Sequence, residues 1–373
     1  MEIYFDARQI QNCFSGLGRF TSQILKELLI FSRGQDRLSI TILLDKPEVY
    51  ENNFLLQEAL QFLGENSVRY TNVAPFSFGH HLKISHVVNN SDCDLYFYPH
   101  FDPPIFVRKP TIFVVHDLFP LLMKDYILKY RRVKIAYFYL TILSSLIRKN
   151  QECIAVSKCT KNDILRFFGN FDSTIRVVYE GFNLDSKTTE NISPLQTNRF
   201  LLYVGDRRPH KNLNRMIDIF EILSTHHNYP GKFIIVGSPK NYDFDLDAKT
   251  KANPKVEVYS NISDRALAGF YDNCESLFFI SKYEGFGLPV LEAGFRGKKI
   301  IASNQGALPE ILPDWGIALK LSNSNELLAE QIQSYLDNQI VINPGKYRLA
   351  FNWKTSMKEM FAEAFYKWGV NST

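Results

Sequence analysis

Two acidic residues, Glu284 and Glu292, flank a glycine-containing turn whose composition suits phosphate binding. The turn follows a strand-like apolar run, and Pro289 suits the first turn of a helix because its missing N–H needs no partner there. Gly285 and Gly287 let the backbone approach a ligand closely, and free N–H groups at a helix start favour phosphate. The segment predicts amide donors for a diphosphate and two carboxylates for sugar hydroxyls; the alternative is a tight turn with surface acids.

A second turn, residues 204–212, carries three cations directly after a strand-like run: Arg207, Arg208 and Lys211. A departing nucleoside diphosphate accumulates negative charge, so fixed cations would stabilise the transition state more than the ground state. Taken alone, the segment is equally compatible with a solvated basic turn. Two phosphate-suited turns in one domain favour the binding interpretation.

Histidines are the other residues that could do chemistry. His116 closes a predicted strand, where it could face a ligand at the carboxyl edge of a sheet; an isolated histidine is otherwise usually a satisfied core residue. His100 and the histidines at 80–81 could suggest a metal, but we identify no suitably spaced carboxylate. The Asp-x-Asp triplet at 243–245 falls in a loop-like stretch. We therefore expect no metal site and no cofactor.

Strand-like apolar runs alternate with segments of helical period along the chain, which predicts an α/β protein with doubly wound parallel sheets. A polar stretch without periodicity interrupts the alternation, and we interpret residues 183–199 as a linker. It would join an N-terminal Rossmann-like domain (1–182) to a C-terminal Rossmann-like domain (200–350), and each sheet could hold one ligand. A closing helix within 351–373 could pack back on the first domain.

The two Rossmann-like domains would face each other across a central cleft. The predicted strands are 3–5, 38–44, 95–98, 111–115, 153–156, 175–178, 201–205, 232–237, 256–259, 277–280 and 300–303.

The bulk composition is that of a globular protein and excludes several classes. Of 373 residues, 45% are hydrophobic and 22% charged, and a net charge of +4 is too small to argue for nucleic acid. Five cysteines without a C-x-x-C pair predict free thiols in a reducing compartment. We find no signal peptide and no apolar stretch of spanning length, so we expect a cytoplasmic protein. Basic and aromatic residues at 124–140 could rest on the inner face of a membrane; a core helix with a basic start is the alternative.

The run from Glu284 to Glu292, with its E-x7-E spacing, resembles that of the retaining glycosyltransferases of family 4, which have the GT-B fold. The basic turn at 204–212 resembles the diphosphate-binding loop of that family. Four further segments match in the same order, so the resemblance spans nearly the whole chain. They are Ser15-Gly16-Leu17-Gly18-Arg19, Val115-His116-Asp117, Ala155-Val156-Ser157-Lys158 and Val178-Tyr179-Glu180-Gly181.

The resemblance implies roles for the matching residues. Glu284 and His116 would contact the reacting sugar, with His116 orienting it rather than acting as a base. Lys211 and one arginine would hold the diphosphate; because Asp206 occupies the family's usual arginine slot, Arg207 and Arg208 both stay open for that role. The other implied donor contacts are Gly16, Gly18, Gly205, Ser260, Ile262, Gly285, Phe286, Gly287, Leu288 and Glu292, with Glu292 on the ribose and residues 260–262 near the base.

The resemblance thus predicts a retaining, metal-independent hexosyltransferase. Its N-terminal domain (1–182) would bind the acceptor and its C-terminal domain (200–350) would bind the nucleotide-sugar donor. Mannose from GDP-mannose is the first candidate donor, because residues 204–212 resemble the matching loop of mannosyltransferases. The acceptor would be a growing polysaccharide, an O-antigen or a lipid-linked oligosaccharide. A sugar-nucleotide epimerase of the same fold and a catalytically inactive transferase that acts as a binding partner are the alternatives.

Overall fold

The computed structural model describes residues 1–12, 16–49, 53–75, 77, 79–122, 132–169, 171–182, 199–237 and 244–370. The chain divides into two compact units. The first unit consists of Met1–Gly181 together with Asn352–Thr373, and the second unit consists of Phe182–Phe351. Of the stretch interpreted as a linker, only Arg199 lies among the described residues.

The first unit contains a parallel sheet, which has seven strands in the described part of the chain, in the order β3-β2-β1-β4-β5-β6-β7. The strands are β1 (Glu2–Asp6), β2 (Ser39–Leu44), β3 (Val68–Tyr70), β4 (Leu95–Tyr98), β5 (Thr111–Val115), β6 (Gln151–Ala155) and β7 (Ile175–Val177). The helices around it are Gly16–Ser32, Phe54–Leu63, Ser85–Asn89, Phe119–Leu122, Arg132–Leu146, Lys158–Phe168 and Trp353–Trp368, with a π-helical turn at His80–Ile84.

The second unit repeats this architecture with a parallel sheet of six described strands in the order β10-β9-β8-β11-β12-β13. The strands are β8 (Phe200–Val204), β9 (Lys232–Val236), β10 (Val256–Tyr259), β11 (Ser276–Phe279), β12 (Lys299–Ser303) and β13 (Ile317–Leu319). The helices are Leu213–His226, Phe244–Ala252, Asp264–Asn273, Leu288–Phe295, Leu308–Ile311, Asn325–Asp337 and Pro344–Ala350.

Both sheets confirm the predicted fold class, and the inner strands show why it is visible in the sequence. Parallel strands covered by helices on both faces read as continuous apolar runs. β4, β5 and β11, for example, are buried along their whole length. The prediction missed two strands, β3 and β13, because each has three residues and lies at a sheet edge, partly exposed.

Each strand order reverses direction once, and the reversal marks where an open α/β sheet binds its ligand. In the first sheet the switch point lies between β1 and β4, and in the second it lies between β8 and β11. The loops that leave the carboxyl ends of these strands carry most of the candidate residues.

The closing helix, Trp353–Trp368, belongs to the first unit. It begins after Asn352, whose side chain accepts a hydrogen bond from the backbone N–H of Thr355 over 2.9 Å. The ring of Phe365 stacks on that of Phe31 with centroids 4.9 Å apart. This helix therefore completes the hydrophobic packing of a domain that begins at the other end of the chain.

Two further findings bear on the predictions from composition. Among the described residues, the helices are all too short or too polar to cross a membrane. Cys93, Cys153, Cys159 and Cys274 are free thiols, while Cys13 lies outside the described residues.

Candidate active site

The loops after β8 and β11 meet at the switch point of the second unit through one ion pair. Lys211 Nζ lies 2.8 Å from each carboxylate oxygen of Glu284, although the two residues are 73 positions apart. Both side chains are largely enclosed, at 12% and 11% exposure. A lysine ammonium has three N–H donors, and Glu284 accounts for two of them. The pair thus presents a fixed cation and a fixed carboxylate at the same edge of the sheet.

Backbone contacts hold these two loops together. The Asn212 side chain donates to the carbonyl oxygen of Ile280 over 3.1 Å, and the Lys282 N–H donates to the carbonyl oxygen of His210 over 2.8 Å. Asn212 has a left-handed backbone (φ 65°), which turns the chain into the helix that follows. The Lys211–Glu284 geometry is therefore set by main-chain structure as well as by charge.

Glycine is required at the start of the loop after β8 and at the end of the loop after β11. Gly205 follows β8 with φ 153°, and a Cβ there would lie 2.7 Å from the hydroxyl oxygen of Tyr203. Gly287 has φ 109° and directly precedes the helix Leu288–Phe295, and its Cβ would lie 2.7 Å from a methyl carbon of Leu308. Both positions thus combine a backbone conformation and a close approach that exclude larger residues.

The two arginines of the basic turn have different surroundings. Arg208 is 44% exposed, and its Nε lies 2.7 Å from a carboxylate oxygen of Asp206. Arg207 is 8% exposed, and its Nη1 lies 3.4 Å from Asp247 Oδ1. Burial raises the pKa of Asp206, but the hydrogen bond from Arg208 and the charges of Lys211 and Arg208 outweigh it and lower that pKa. Asp206, in the slot of the family arginine, thus serves as the anionic partner of Arg208.

His210 lies between the cations and carries no charge at neutral pH. Burial, with the positive charges of Lys211 and Arg208, lowers its pKa to about 3. The turn therefore places two arginines and a lysine around a neutral ring.

The remaining donor contacts implied by the sequence lie along the same edge. Glu292 is in the helix Leu288–Phe295 and is 5% exposed. Gly287 is the N-cap residue of that helix, and no side-chain hydrogen bond caps the helix there. Ser260 follows β10 and donates to the carbonyl oxygen of Gly237, at the end of β9. Ser260 and Ile262 follow β10, which is two strands from β8 and therefore about 10 Å from it along the sheet edge.

The other predicted residues lie in the first unit. Gly16 and Gly18 begin the helix Gly16–Ser32, where Gly18 is buried and a Cβ at Gly16 would meet nothing within 4 Å. His116 follows β5, with its Nδ1 3.0 Å from Glu180 Oε1 and its Nε2 2.9 Å from the carbonyl oxygen of Pro99. An ionised carboxylate and a carbonyl are both acceptors, so each ring nitrogen needs a proton. Burial lowers the pKa of His116, but the hydrogen bond and charge of Glu180 outweigh it and raise that pKa.

His116 is therefore an imidazolium whose two N–H groups donate to Glu180 and to the carbonyl oxygen of Pro99, both in the first unit. Glu180 was not among the predicted site residues, although it stands in a segment that resembles the family. No local signal identifies it as a partner, because it is 64 positions from His116.

His100 pairs with a carboxylate two positions away. Asp102 Oδ1 lies 2.7 Å from His100 Nδ1. Within the described part of the chain, no group of three or more His, Cys, Asp or Glu side chains is arranged to hold a metal ion.

Two doubly wound units, each with polar loops at its switch point, form a class of two-domain α/β proteins that bind ligands at the carboxyl ends of their strands. Sequence models identify the family within that class. Residues 185–353 match the model "Glycosyl transferases group 1", and residues 53–186 match the model "Glycosyltransferase Family 4". The chain belongs to glycosyltransferase family 4, and its structural neighbours have the GT-B fold.

Individual relatives are distant. An Escherichia coli "O-antigen chain mannosyltransferase B" is 24% identical over 200 residues, 50% of this chain and 51% of the relative. A Mycolicibacterium hassiacum "MMP alpha-(1->4)-mannosyltransferase" is 27% identical over 179 residues, 48% of this chain and 43% of the relative. The chain thus spans about half the length of these curated relatives. Anabaena HepE, solved in complex with UDP-glucose, shares the fold with a TM-score of 0.69 at 16% identity, covering 98% of this chain and 100% of HepE.

Proposed function

We propose that this glycosyltransferase moves a hexose, with mannose from GDP-mannose as the first candidate, onto a growing polysaccharide, O-antigen or lipid-linked oligosaccharide. The observation that carries the proposal is the Lys211–Glu284 pair at the β8/β11 switch point. A diphosphate would take the third ammonium donor of Lys211, while the adjacent carboxylate would accept hydrogen bonds from sugar hydroxyls. The two side chains would thereby bind the donor on either side of the sugar–phosphate bond that is broken in the transfer.

The choice of mannose and of a surface polysaccharide rests on what the relatives are named. The E. coli relative is an O-antigen chain mannosyltransferase, and the Mycolicibacterium relative is also a mannosyltransferase. HepE was solved with UDP-glucose, so UDP-glucose is the main competing donor.

A donor panel tests the proposal. GDP-mannose, UDP-glucose, UDP-galactose and GDP would be added separately, and the melting temperature of the protein measured. A ligand that binds only the folded state raises the melting temperature, by an amount that grows with its concentration over its Kd. We expect GDP-mannose and GDP to give the largest shifts in melting temperature. A shift with uridine nucleotides alone would show that the donor is a UDP-sugar and not GDP-mannose. The absence of a shift with every nucleotide would contradict the proposal.

Retention and metal independence are parts of the same proposal. In the transfer assay, the anomeric signal of the product by NMR should show the configuration of the donor sugar. Activity should stay within about twofold after EDTA treatment, because three fixed cations at the basic turn can offset phosphate charge. Inversion of the anomeric centre would contradict retention, and complete loss restored by Mg²⁺ would contradict metal independence.

The two alternatives differ from transfer in their products. An epimerase would convert the nucleotide sugar without any acceptor, which anion-exchange chromatography of the donor alone detects. A catalytically inactive partner protein would bind nucleotide without turning it over. The pairing of Glu284 with Lys211 supports catalysis, because it holds a carboxylate and a cation together at the switch point, where an open α/β sheet binds its ligand.

Membrane contact through residues 124–140, and with it a place at the inner face of the membrane, stays a prediction. Residues 124–131 lie outside the described residues. In the helix Arg132–Leu146, Leu140 is 60% exposed. Co-sedimentation with phosphatidylglycerol vesicles checks this: we expect binding that Leu140→Ser weakens, and equal recovery of both proteins in the supernatant would contradict it.

A further inference from the structure

The carboxyl edge of the first sheet holds a chain of buried polar groups that the donor site does not use. Asp6 ends β1 and pairs with Arg8, whose Nη2 lies 2.6 Å from Asp6 Oδ2; both side chains are essentially inaccessible. Tyr96 donates to the same oxygen over 2.6 Å. Arg8 also donates to His80 Nδ1 over 3.0 Å, so the proton of the neutral His80 ring is on Nε2, which donates to the carbonyl oxygen of Asp102 over 2.7 Å. This chain of hydrogen bonds fixes the backbone at Asp102.

The carboxylate of Asp102 is fully buried and is the centre of a second set of bonds. Oδ1 lies 2.7 Å from His100 Nδ1 and 3.1 Å from the Tyr98 hydroxyl, and Oδ2 lies 3.4 Å from the Tyr137 hydroxyl. Burying a carboxylate is unfavourable unless such donors surround it. Two of the three donors reach toward the surface: His100 is 17% exposed, and Tyr137 is partly exposed. Asp102 therefore sets the orientation of two accessible side chains.

Tyr137 extends the arrangement to His81. The His81 Nε2 lies 2.9 Å from the Tyr137 hydroxyl. Because that hydroxyl gives its proton to Asp102, it accepts one from His81, whose pKa is lowered by burial. The neutral ring then carries a lone pair on Nδ1, a buried atom with no hydrogen-bond partner in the described part of the chain. His81 therefore holds the Tyr137 hydroxyl in place rather than contacting a ligand itself.

The accessible groups decide which ligand this edge suits. Arg8 is committed to Asp6 and His80, so the groups that reach toward the surface are the imidazole of His100 and the hydroxyl of Tyr137. These groups suit neutral hydroxyl groups, which can both donate and accept. This site also lies at the β1/β4 switch point, where an open α/β sheet binds its ligand.

We propose that His100 and Tyr137, oriented by the buried Asp102, bind the hydroxyl groups of the acceptor saccharide. The inference rests on the proposed transfer function and adds which part of the acceptor is recognised here: its sugar, and not a lipid-linked diphosphate. Asp102 is a positioning residue, while His100 and Tyr137 touch the saccharide.

Saturation-transfer NMR tests this assignment on the full chain with saturating GDP or UDP. The probes are the methyl α-pyranosides of mannose, glucose and galactose. Tyr137→Phe removes one hydroxyl, and Tyr139→Phe, on the same helix but stacked on Phe168, is the matched control. We expect Tyr137→Phe and Asp102→Asn to raise the Kd of the bound hexoside about tenfold over the control, the loss of a hydrogen bond within a charged network. Pyrophosphate should not displace the hexoside.

The outcomes separate this inference from the proposed function. Nucleotide binding by calorimetry, measured on the same preparations, should be equal in all variants. If the wild type binds nucleotide but Tyr137→Phe binds hexoside as tightly as Tyr139→Phe, or if no hexoside binds the wild type, only the acceptor assignment is overturned. Displacement by pyrophosphate would also overturn it. If the wild type binds neither GDP nor UDP, the proposed function fails. Tyr137→Phe leaves the buried carboxylate with two donors, so the test stands even where Asp102→Asn does not fold.

Discussion

The two sheets share one strand order around the switch point, yet the loops that leave them carry different chemistry. In the first unit, the charged groups Asp6, Arg8 and Asp102 are fully buried and hold histidines and tyrosines in place. In the second unit, Lys211 and Glu284 retain access to solvent at 12% and 11% exposure. Topology determines where each unit can bind a ligand, whereas the residues just after the strands determine which ligand suits it. We propose hydroxyl recognition at the edge of the first sheet and phosphate recognition at the edge of the second.

The largest loss of activity is expected for a substitution of Glu284, at the edge proposed to bind the donor. Glu284→Gln keeps the shape but removes the charge, and we expect transfer to fall by roughly 10²–10³-fold, the range for losing one preorganised polar group. Nucleoside-diphosphate binding should persist, because Lys211 loses an anion that competes with phosphate. Initial rates and calorimetry check both parts.

Glu330→Gln is the control for this experiment, since Glu330 is exposed on the helix Asn325–Asp337 of the same unit. Equal turnover by Glu284→Gln and the control would remove Glu284 from the reaction.

A smaller and pH-dependent effect is expected in the first unit, at His116 and Glu180. The pKa of His116 is raised in the folded protein, so the stability that the pair contributes is fully present below the ordinary histidine pKa, about 6.5. It is lost as the pH rises through the folded-state pKa. Glu180→Gln should therefore cost about 1–2 kcal/mol at pH 6 and less at pH 9.

Melting temperatures of wild type and Glu180→Gln at the two pH values measure this difference. Glu363→Gln, which removes a carboxylate that is 73% exposed, should show no such pH dependence. A Glu180→Gln deficit that grows between pH 6 and pH 9 would contradict the imidazolium assignment.

The smallest expected effects distinguish Arg207 from Arg208. Arg208→Ala breaks a pair whose arginine is 44% exposed and should cost under about 1 kcal/mol of stability. It should weaken nucleoside-diphosphate binding about three- to tenfold, because an accessible arginine can form charge-assisted bonds to phosphate. Arg207→Ala, at a site 8% exposed, should lower stability more and affinity less. The reverse pattern in denaturation and calorimetry would assign the diphosphate to Arg207.

Much of the fold was predictable because its signals are local. β4 and β5 were predicted with correct ends, since a strand covered on both faces needs an unbroken apolar run. Short edge strands such as β3 lack that signal. The basic turn and the Glu284 segment were recognisable because each lies within a few residues of a strand end.

The polar networks were not predictable, because their partners are distant in sequence. Asp102 meets Tyr137 across 35 positions and His116 meets Glu180 across 64. In the sequence, each of these residues is an ordinary polar side chain in a loop or on a helix. The fold brings them within reach of one another: Asp102 follows β4 and meets a helix that follows β5, while His116 follows β5 and Glu180 follows β7.

The central claim, that the β8/β11 edge of the second unit is a diphosphate site, is tested most directly by titrating GDP and UDP into wild type and Lys211→Ala by calorimetry. Lys251→Ala, which removes an exposed lysine from the same unit, is the matched control. We expect Lys211→Ala to raise the Kd of the preferred nucleotide at least about tenfold, as for a lost charge-assisted hydrogen bond, and Lys251→Ala to leave it unchanged. Equal affinity in Lys211→Ala and wild type would contradict the claim.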